Sequence, residues 1–492
     1  METNYTDKEL HEIEDELHIE ILPGTEIMRD VGSHHFVKSG DTTHRVLVPQ
    51  PTDDRHDPLN WTGWWKASAI TVTTYITFVQ GFGPLALAPQ FEYYMKDFNC
   101  SLADAIQFTG VCILVLGFSN FIWVPISSSF GRRPVLFFST LICFASSIWR
   151  AEAKTYGSFM GACVVNGIGA GPAETMQPAI IADIFFLHDR GKWNTLYWVA
   201  YMGSLMVGPI ISGSMALHVG WRSFWWLNTG LLGLGCLLVA FLYPESKFPR
   251  PHEHVHPPAK AVSPAASTTE EKDNATTIEF ASPSGDGIAQ VPTATSTAAA
   301  NANFAAPPYG FSSEVIGFMN FAILVGAFIG LFTAGPLSDW VAAKLTARNG
   351  GIREPEMRLP AMIPYVLIMI LGNVCVAVGY DDKWHWAPIV IIGYACAGIQ
   401  VAALPAIAST YAVDSYKPVA GSLFVSITVN KNLWGYGFSK FITPWSEEVG
   451  FIPPIMTNMA LITFFSGCGI IFYYYGKTMR RWSKNSNVHK ME

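Results

Sequence analysis

Two ionisable residues, Glu174 and Lys431, interrupt apolar stretches of this chain and are the side chains best suited to chemistry. A carboxylate held away from water can take up and release a proton. A lysine in such a place must face the protein interior or pair with a carboxylate, because exposure to lipid costs about 3 kcal/mol. Glu174 is therefore a candidate proton carrier, and Lys431 is a candidate partner for a carboxylate or for an anionic ligand. The alternatives are an ordinary ion pair at Glu174 and a locally unwound helix in which Lys431 binds backbone carbonyls.

Apolar runs long enough to cross about 30 Å of hydrocarbon position these two residues. Six runs precede a polar stretch and about five follow it, with Glu174 in the fourth run and Lys431 in the tenth. The expected fold is all-α, a polytopic membrane protein of two helical bundles, with spans at 64–87, 106–128, 134–150, 156–178, 193–217, 223–243, 314–336, 360–379, 386–411, 418–441 and 451–475.

The composition excludes a water-soluble protein. Of the 492 residues, 50% are hydrophobic and 14% are charged, and the mean hydropathy is +0.27. The net charge of −7 comes without a basic stripe, so we expect no nucleic acid partner. The eight cysteines show no paired or metal-ligand spacing, so we expect no disulfide framework, no metal and no cofactor. Since no nucleophile and base stand in a recognisable pattern, we expect no enzyme activity.

Related turns in the two halves indicate an internal duplication. Segment 130–134 (FGRRP) closes the second apolar run, and segment 335–340 (GPLSDW) closes the seventh, about two hundred residues later. Related turns in corresponding places of two halves are typical of duplicated transporters. We therefore expect the chain to move a solute across a membrane.

Basic residues predict the orientation. Lys and Arg follow the second, fourth, sixth and last runs, which places these connections and both termini in the cytoplasm. Asn99 begins a glycosylation sequon in a connection on the other side. The expected organisation is a cytoplasmic tail (1–62), a six-span bundle (63–243), a cytoplasmic disordered linker (244–312), a bundle of about five spans (313–476) and a second cytoplasmic tail (477–492).

One crossing is missing from this pattern. The linker 244–312 is rich in Pro, Ala, Ser and Thr, and the basic connection that follows 314–336 should also be cytoplasmic. Because a single crossing cannot separate two cytoplasmic connections, we expect that a seventh span of a twelve-span design is absent, through a gene-model or splicing error or a real deletion. The alternative is that 287–307 inserts weakly and is held by its neighbours.

Four pieces of the sequence occur in a characteristic order, namely the segments 57–61 (DPLNW) and 130–134, the pair Gly208-Pro209 with nearby small residues, and the segment 350–359. In these features the sequence resembles the major facilitator superfamily, specifically the fungal twelve-span drug:proton antiporters. The similarity covers about 55–243 and 305–480.

The resemblance implies roles for two sets of residues. One set would gate the transporter by clamping its halves together in one state, and consists of Gly131, Arg132, Arg133, Gly335 and Asp339. The other set is the antiporter motif, in which small residues and a proline let neighbouring helices pack closely and bend, and consists of Gly203, Gly208, Pro209 and Gly213. The alternatives are that Arg132 and Arg133 only determine topology and that the small residues only pack.

Two departures from the family pattern bear on these roles. Ser128 stands where the family usually has Asp, which shifts the expected gating role toward Asp339. Cys163 stands where many drug:proton antiporters have an arginine, which puts their route of proton coupling in doubt here.

The resemblance also implies a central cavity near the middle of the membrane. Polar and aromatic residues on the spans that line it suit an amphipathic organic molecule, although each alone is more often a packing residue. These candidates are Tyr75, Gln80, Asn194, Tyr197, Trp198, Asn320 and Gln400.

The expected function is proton-coupled antiport that exports a small organic molecule by alternating access. The expected protein is a monomer in the lipid bilayer, in the plasma membrane rather than the vacuolar membrane, with protons and a small-molecule substrate as its partners. One alternative is an importer or facilitator of a cationic nutrient such as a polyamine. The other is a non-transporting remnant that lacks span seven.

Overall fold

The apolar runs fold into long helices, since within lipid a helix satisfies every backbone polar group inside one segment. The computed structural model describes residues 26–27, 54, 57–84, 86–185, 187–248, 304, 309–349, 352–416, 420–450 and 452–483. The helices of the first half are α1 (Gly63–Phe82), α2 (Phe91–Phe98), α3 (Leu102–Phe130), α4 (Arg132–Glu152), α5 (Tyr156–Ala170), α6 (Pro172–Ile184), α7 (Leu187–His218) and α8 (Trp221–Leu242). Those of the second half are α9 (Ser313–Arg348), α10 (Ile363–Asp381), α11 (Ala395–Ser415), α12 (Ala420–Val449) and α13 (Ile452–Ser483).

Eight of the described helical segments are long and apolar enough to cross a membrane. The fourth run is not among them, because it is divided at Gly171 into α5 and α6, each too short alone. α1, with 20 residues, is not among them, and neither is α12, although it has 30 residues. Its middle carries Asn430, Lys431 and Asn432, which lower its apolarity.

The helix ends define two faces of the bundle. The turn from α3 to α4, the end of α6 and the segment after α8 meet at one of them, where Arg132 contacts both Asp183 and Glu245. We call this the basic end. The start of α9 lies at the opposite end, because the Ser313 hydroxyl donates to the carbonyl of Gly213 near the end of α7.

The two halves meet through two pairs of helices. α3 packs on α12, and α7 packs on α9. By the related segments 130–134 and 335–340, α9 corresponds to α3 and α12 corresponds to α7, so the two contacts are equivalent under the internal duplication. In the described part of the second half, no membrane-length helix precedes α9 as α1 precedes α3.

The predicted linker 244–312 is described only at its ends. Lys247 lies at the basic end, where its ammonium donates to the carbonyl of Ser129 at 2.8 Å. Tyr309 lies at the opposite end, where its hydroxyl donates to the carbonyl of Trp384, just after α10, at 2.6 Å. The connection thus begins at one face of the bundle and ends at the other, and residues 249–303 of it lie outside the described part.

The expectation of a turn at 335–340 is wrong. α9 runs unbroken from Ser313 to Arg348, so Gly335 and Asp339 lie within a helix and not in a loop. The proline at 336 forfeits one backbone hydrogen bond, but a helix of 36 residues held on several sides continues past it. The first-half segment does break, because Gly131 has φ +110°, a conformation that side chains rarely allow.

Most of the predicted N-terminal tail lies outside the described residues. Within it, Glu26–Ile27 form a strand that pairs antiparallel with Ile352–Arg353, in the connection between α9 and α10. Ahead of α1, the buried carboxylate of Asp57 accepts from the backbone N–H of Leu59 at 3.0 Å and caps the 3₁₀ turn Pro58–Asn60.

Candidate functional site

An ion pair joins the two halves in the interior of the bundle. The Lys431 ammonium lies 2.7 Å from Glu174 Oε1. The two side chains are only 3% and 9% exposed, so water screens the pair little. The Tyr201 hydroxyl donates to the same carboxylate oxygen at 2.6 Å. The other oxygen, Glu174 Oε2, is buried and has no hydrogen-bond partner among the described residues.

The break in the fourth run positions Glu174. Pro172 opens α6, which places Glu174 in the first turn of a new helix, where the backbone N–H groups favour a negative charge. Gly171 allows α3 to approach closely, since a Cβ there would overlap the Ser119 hydroxyl. At 1.5 Å per residue, Glu174 lies about 15 Å from the last residue of α6 at the basic end. This is about half the thickness of a membrane's hydrocarbon.

Lys431 reaches the same depth from the other half. It lies about 16 Å along α12 from its first residue at the basic end. Its neighbour Asn432 is 1% exposed and packs on α3 where Gly117 leaves no side chain in the way. The lysine is thus carried into the interface by a close helix contact, and it is not bonded to carbonyls of an unwound helix, since α12 is continuous there.

Three aromatic residues of α7 form a cluster, and two of them, Tyr197 and Tyr201, bond to Glu174. The rings of Tyr197 and Trp198 are 4.7 Å apart, and those of Trp198 and Tyr201 are 5.9 Å apart. The Tyr197 hydroxyl donates to the backbone carbonyl of Glu174 at 3.0 Å. The Trp198 indole N–H is buried without a partner among the described residues. Of the predicted cavity residues, Tyr197 therefore lies at the ion pair, and Trp198 packs on the rings of Tyr197 and Tyr201 next to it.

The other predicted cavity residues whose side chains are described do not converge on this site. The Gln80 amide donates to Ser139 and Thr140 of α4 at 3.1 and 3.0 Å, inside the first bundle. The others bond to backbone or to a neighbouring helix: Tyr75 to the carbonyl of Leu231, Asn320 to carbonyls of its own helix, and Gln400 to Asn373. Asn194 lies on α7, and its side chain is outside the described part.

The first predicted gating segment is held within its own half. The carboxylate of Glu245 accepts from the backbone N–H groups of Arg132 and Arg133, at 2.8 and 3.0 Å, and so caps the start of α4. The guanidinium of Arg132 is buried and contacts Asp183 at 3.0 Å and Ser127 at 2.8 Å. Arg133 is exposed, and its side chain donates to the carbonyl of Ala240. The two arginines are therefore not equivalent.

The second gating segment has a corresponding arrangement with a different arginine. Arg358, in the connection before α10, contacts Asp339 at 2.5 Å and Asp414 at 2.8 Å. It also donates to Ser338 at 3.4 Å, as Arg132 does to Ser127. Sequence reasoning named Asp339 but missed Arg358, Asp414 and Glu245, since only the fold shows which charges meet.

The predicted antiporter motif lies on α7 and forms two close contacts with other helices. A Cβ at Gly208 would lie 2.5 Å from the carbonyl oxygen of Phe82 in α1, and one at Gly213 would overlap the carbonyl oxygen of Ser313 in α9. α7 passes through Pro209 without ending. Gly203 is different, because the nearest atom to a Cβ there is a Phe78 ring carbon at 4.0 Å.

A buried guanidinium lies next to the cysteine that departs from the family pattern. Arg150 of α4 is 0% exposed, stacks on the ring of Trp225 at 4.6 Å and donates to the Cys112 sulfur at 3.6 Å. It also interacts with Cys163 of α5. In this chain the arginine near Cys163 therefore comes from the neighbouring helix.

The comparisons with known proteins agree with this architecture. The family model described as Major Facilitator Superfamily matches residues 73–430. The MFS transporter cpaT of Aspergillus oryzae is 28% identical, with 91% of this chain and 94% of that protein covered. The probable efflux pump mfs2 of Aspergillus flavus is 22% identical, with 74% of this chain and 91% of that protein covered.

A solved structure shares the fold at low sequence identity. The xylose transporter XylE from E. coli, in a partially occluded inward-open conformation, superposes with a TM-score of 0.59 at 14% identity, over 84% of this chain and 98% of that one. The helical architecture, the matched region and the transporter relatives together show the family. The chain is a polytopic membrane transporter that belongs to the major facilitator superfamily.

Proposed function

We propose that the chain is a proton-coupled antiporter in the plasma membrane and that it exports a small organic molecule by alternating access. The observation that carries this proposal is the buried ion pair between Glu174 and Lys431, which joins the two halves at mid-membrane depth. An ionisable pair is costly in lipid, and such residues commonly mark proton or substrate pathways.

The pair provides a switch between two arrangements of the halves. While Glu174 is charged, it binds Lys431 and holds α6 against α12. A proton delivered to Glu174 removes that charge, and the two halves then lose one of their strongest contacts. Tyr201 stays beside the carboxylate as a hydrogen-bonding group that serves either protonation state. Proton binding thus favours the separated arrangement, so a proton gradient can drive the change between the two arrangements.

Ion pairs at the basic end hold each half together as a rigid unit during this motion. Arg132 joins helices of the first half by its contact with Asp183. In the same way, Arg358 joins helices of the second half by its contacts with Asp339 and Asp414. Because both arrangements lie within a half, they keep each bundle intact while the contacts α3–α12 and α7–α9 change. The close approach at Gly213 gives α7 and α9 a surface on which to pivot.

The direction of transport has weaker support. The probable efflux pump mfs2 is a relative over most of its length, which favours export. The absence of a counterpart of α1 in the described second half favours the remnant alternative instead. A remnant would insert in the membrane and move no solute.

Vesicles that contain the purified full-length chain test the proposal. A panel of fluorescent organic compounds is offered under an imposed pH gradient, with and without a protonophore. We expect gradient-driven accumulation of at least one compound and its loss with the protonophore. Accumulation that ignores the protonophore would refute the coupling, and no movement of any compound would support the remnant.

A further inference from the structure

The connection between α9 and α10 is held firmly by its neighbours in the second half. Asn349 ends α9, and its side-chain amide donates to the carbonyl of Ile352 at 3.0 Å. Arg480, near the end of α13, is only 1% exposed and donates to the carboxylates of Glu354 and Glu356 at 2.6 and 2.8 Å. These contacts make the described part of the connection a fixed platform at the basic end.

One edge of this platform pairs with the N-terminal tail. Ile352 directs both of its backbone groups toward Asn349, because its N–H donates to the Asn349 carbonyl at 3.3 Å and its own carbonyl accepts the Asn349 amide. Successive residues of a strand direct their backbone groups to opposite sides, so those of Arg353 point away from Asn349. The strand Glu26–Ile27 pairs antiparallel with Ile352–Arg353, and Glu26 is the residue opposite Arg353.

We propose that the connection between α9 and α10 is a docking site for an extended segment and that its occupant is the protein's own N-terminal tail. A strand is added to the edge of the connection, so backbone hydrogen bonds supply affinity and facing side chains supply selectivity. The register places an acidic residue opposite a basic one, Glu26 and Arg353, and Ile27 opposite Ile352. The site therefore fits a strand in which an acidic residue precedes a β-branched apolar one.

The docked tail joins the two halves at the basic end. The tail leads into α1 of the first half, whereas the connection belongs to the second half. The contacts between the halves at Glu174 and Gly213 lie instead at mid-membrane depth and toward the opposite end. Because the chain between Ile27 and Asp57 can extend to about 100 Å, a docked strand leaves the halves free to move. Docking therefore tethers the halves without locking one arrangement.

Docking braces a segment on which other contacts of the second half depend. The same connection carries Arg358, which contacts Asp339 and Asp414. An uncovered strand edge also invites pairing with other chains, and the tail prevents this by covering it. The tail thus acts as a part of the folded transporter.

Cysteine pairs test the register in the full-length chain. The partly exposed native cysteines are first replaced by serine, namely Cys100, Cys236, Cys375, Cys396 and Cys468. Glu26→Cys with Arg353→Cys should form a disulfide under mild oxidation, because opposed residues of an antiparallel pair lie about 5 Å apart at Cα. Ile27→Cys with Arg353→Cys is the matched control and should form none, because neighbouring residues of a strand face opposite sides. Mass spectrometry of the digested chain detects the disulfides.

Hydrogen exchange measures docking without introduced cysteines. In detergent, the amides of 352–354 should exchange at least about tenfold faster in Glu26→Pro than in the wild type, because proline cannot donate and disrupts the strand. Glu26→Arg should also speed exchange, and its combination with Arg353→Glu should restore most of the protection. Glu9→Pro, elsewhere in the tail, is the control and should leave exchange unchanged.

A labelled synthetic peptide of residues 20–32 tests whether the site accepts a strand that is not tethered. It should bind Glu26→Pro about tenfold more tightly than the wild type, because the tethered tail of the wild type competes for the site. Equal binding to both proteins, or binding to neither, would overturn the proposal. So would equal cross-linking of the two cysteine pairs, or exchange at 352–354 that Glu26→Pro leaves unchanged. None of these measurements involves transport, so they test docking separately from the proposed function.

Discussion

Glu174 and Lys431 are 257 residues apart in the chain and 2.7 Å apart in the fold. They lie at nearly equal depth, one on each half of the chain. A contact of this kind reports the arrangement of the whole transporter, because neither half can move away from the other without breaking it.

The first prediction concerns the stability of this pair. Glu174→Ala or Lys431→Ala leaves one charge buried and unpaired, and each should lower the free energy of unfolding by about 3 to 5 kcal/mol. Exchange of the two residues, Glu174→Lys with Lys431→Glu, should recover most of that loss. Thermal unfolding of the detergent-solubilised protein measures both. Lys477→Ala, at the half-exposed pair with Glu354, is the control and should cost at most about 1 kcal/mol. A reversed pair no more stable than the single variants would contradict the contact.

The second prediction separates two glycines of the same motif. Gly213→Ala places a methyl group on the carbonyl oxygen of Ser313 and should destabilise the contact between α7 and α9 by about 1 to 3 kcal/mol. Gly203→Ala meets only Phe78 at 4.0 Å, and it should be neutral or stabilise the helix by up to about 1 kcal/mol. Thermal unfolding and solute uptake are measured for both. Equal effects of the two substitutions would show that the close contact at Gly213 has no special role in the motif.

The third prediction separates the two arginines of segment 130–134. Arg132→Ala removes a buried guanidinium that binds Asp183 and Ser127, and should cost about 2 to 3 kcal/mol. Arg133→Ala keeps the backbone N–H that Glu245 accepts and should change stability by less than about 1 kcal/mol. If both arginines acted only on topology, the two variants would be equally stable and would differ from the wild type only in orientation.

The fourth prediction concerns topology. Cysteines introduced at Lys247 and Tyr309 should react with a membrane-impermeant maleimide from opposite sides, because these residues lie at opposite ends of the bundle. The partly exposed native cysteines are first replaced, namely Cys100, Cys236, Cys375, Cys396 and Cys468. Asn99, exposed at the end opposite Arg132, provides an independent marker, since its glycan should disappear in Asn99→Gln. Labelling of both positions from the cytoplasm would support the cytoplasmic linker expected from the sequence.

The transcript across the codons for Tyr243 to Pro308 gives a complementary result. About twenty additional apolar codons would restore a seventh span. A transcript that matches this chain would leave the weak insertion of 287–307 and the remnant as the remaining explanations.

The sequence predicted the helices better than their partners. Apolar runs placed most spans within a few residues, because the period and length of such runs depend on local chemistry alone. The turn predicted at 335–340 was wrong. Glycine and proline normally end a helix, but packing against other helices keeps α9 helical through both residues. Glu174 and Lys431 were each recognisable as costly charges in lipid. Their pairing, like that of Arg358 with Asp414, depends on which helices the fold brings together, and no local pattern records that.

The central claim is that Glu174 binds the coupled proton, and its most direct test is to measure proton-coupled transport by the Glu174→Gln variant in vesicles. The glutamine keeps the size of the side chain and one acceptor oxygen, replaces the other oxygen by an NH2 donor, and removes the charge and the capacity to carry a proton. We predict that the variant inserts and folds but that an imposed pH gradient no longer drives accumulation of a solute that the wild type accumulates. Gradient-driven accumulation at the wild-type rate, with the same dependence on pH, would contradict the account.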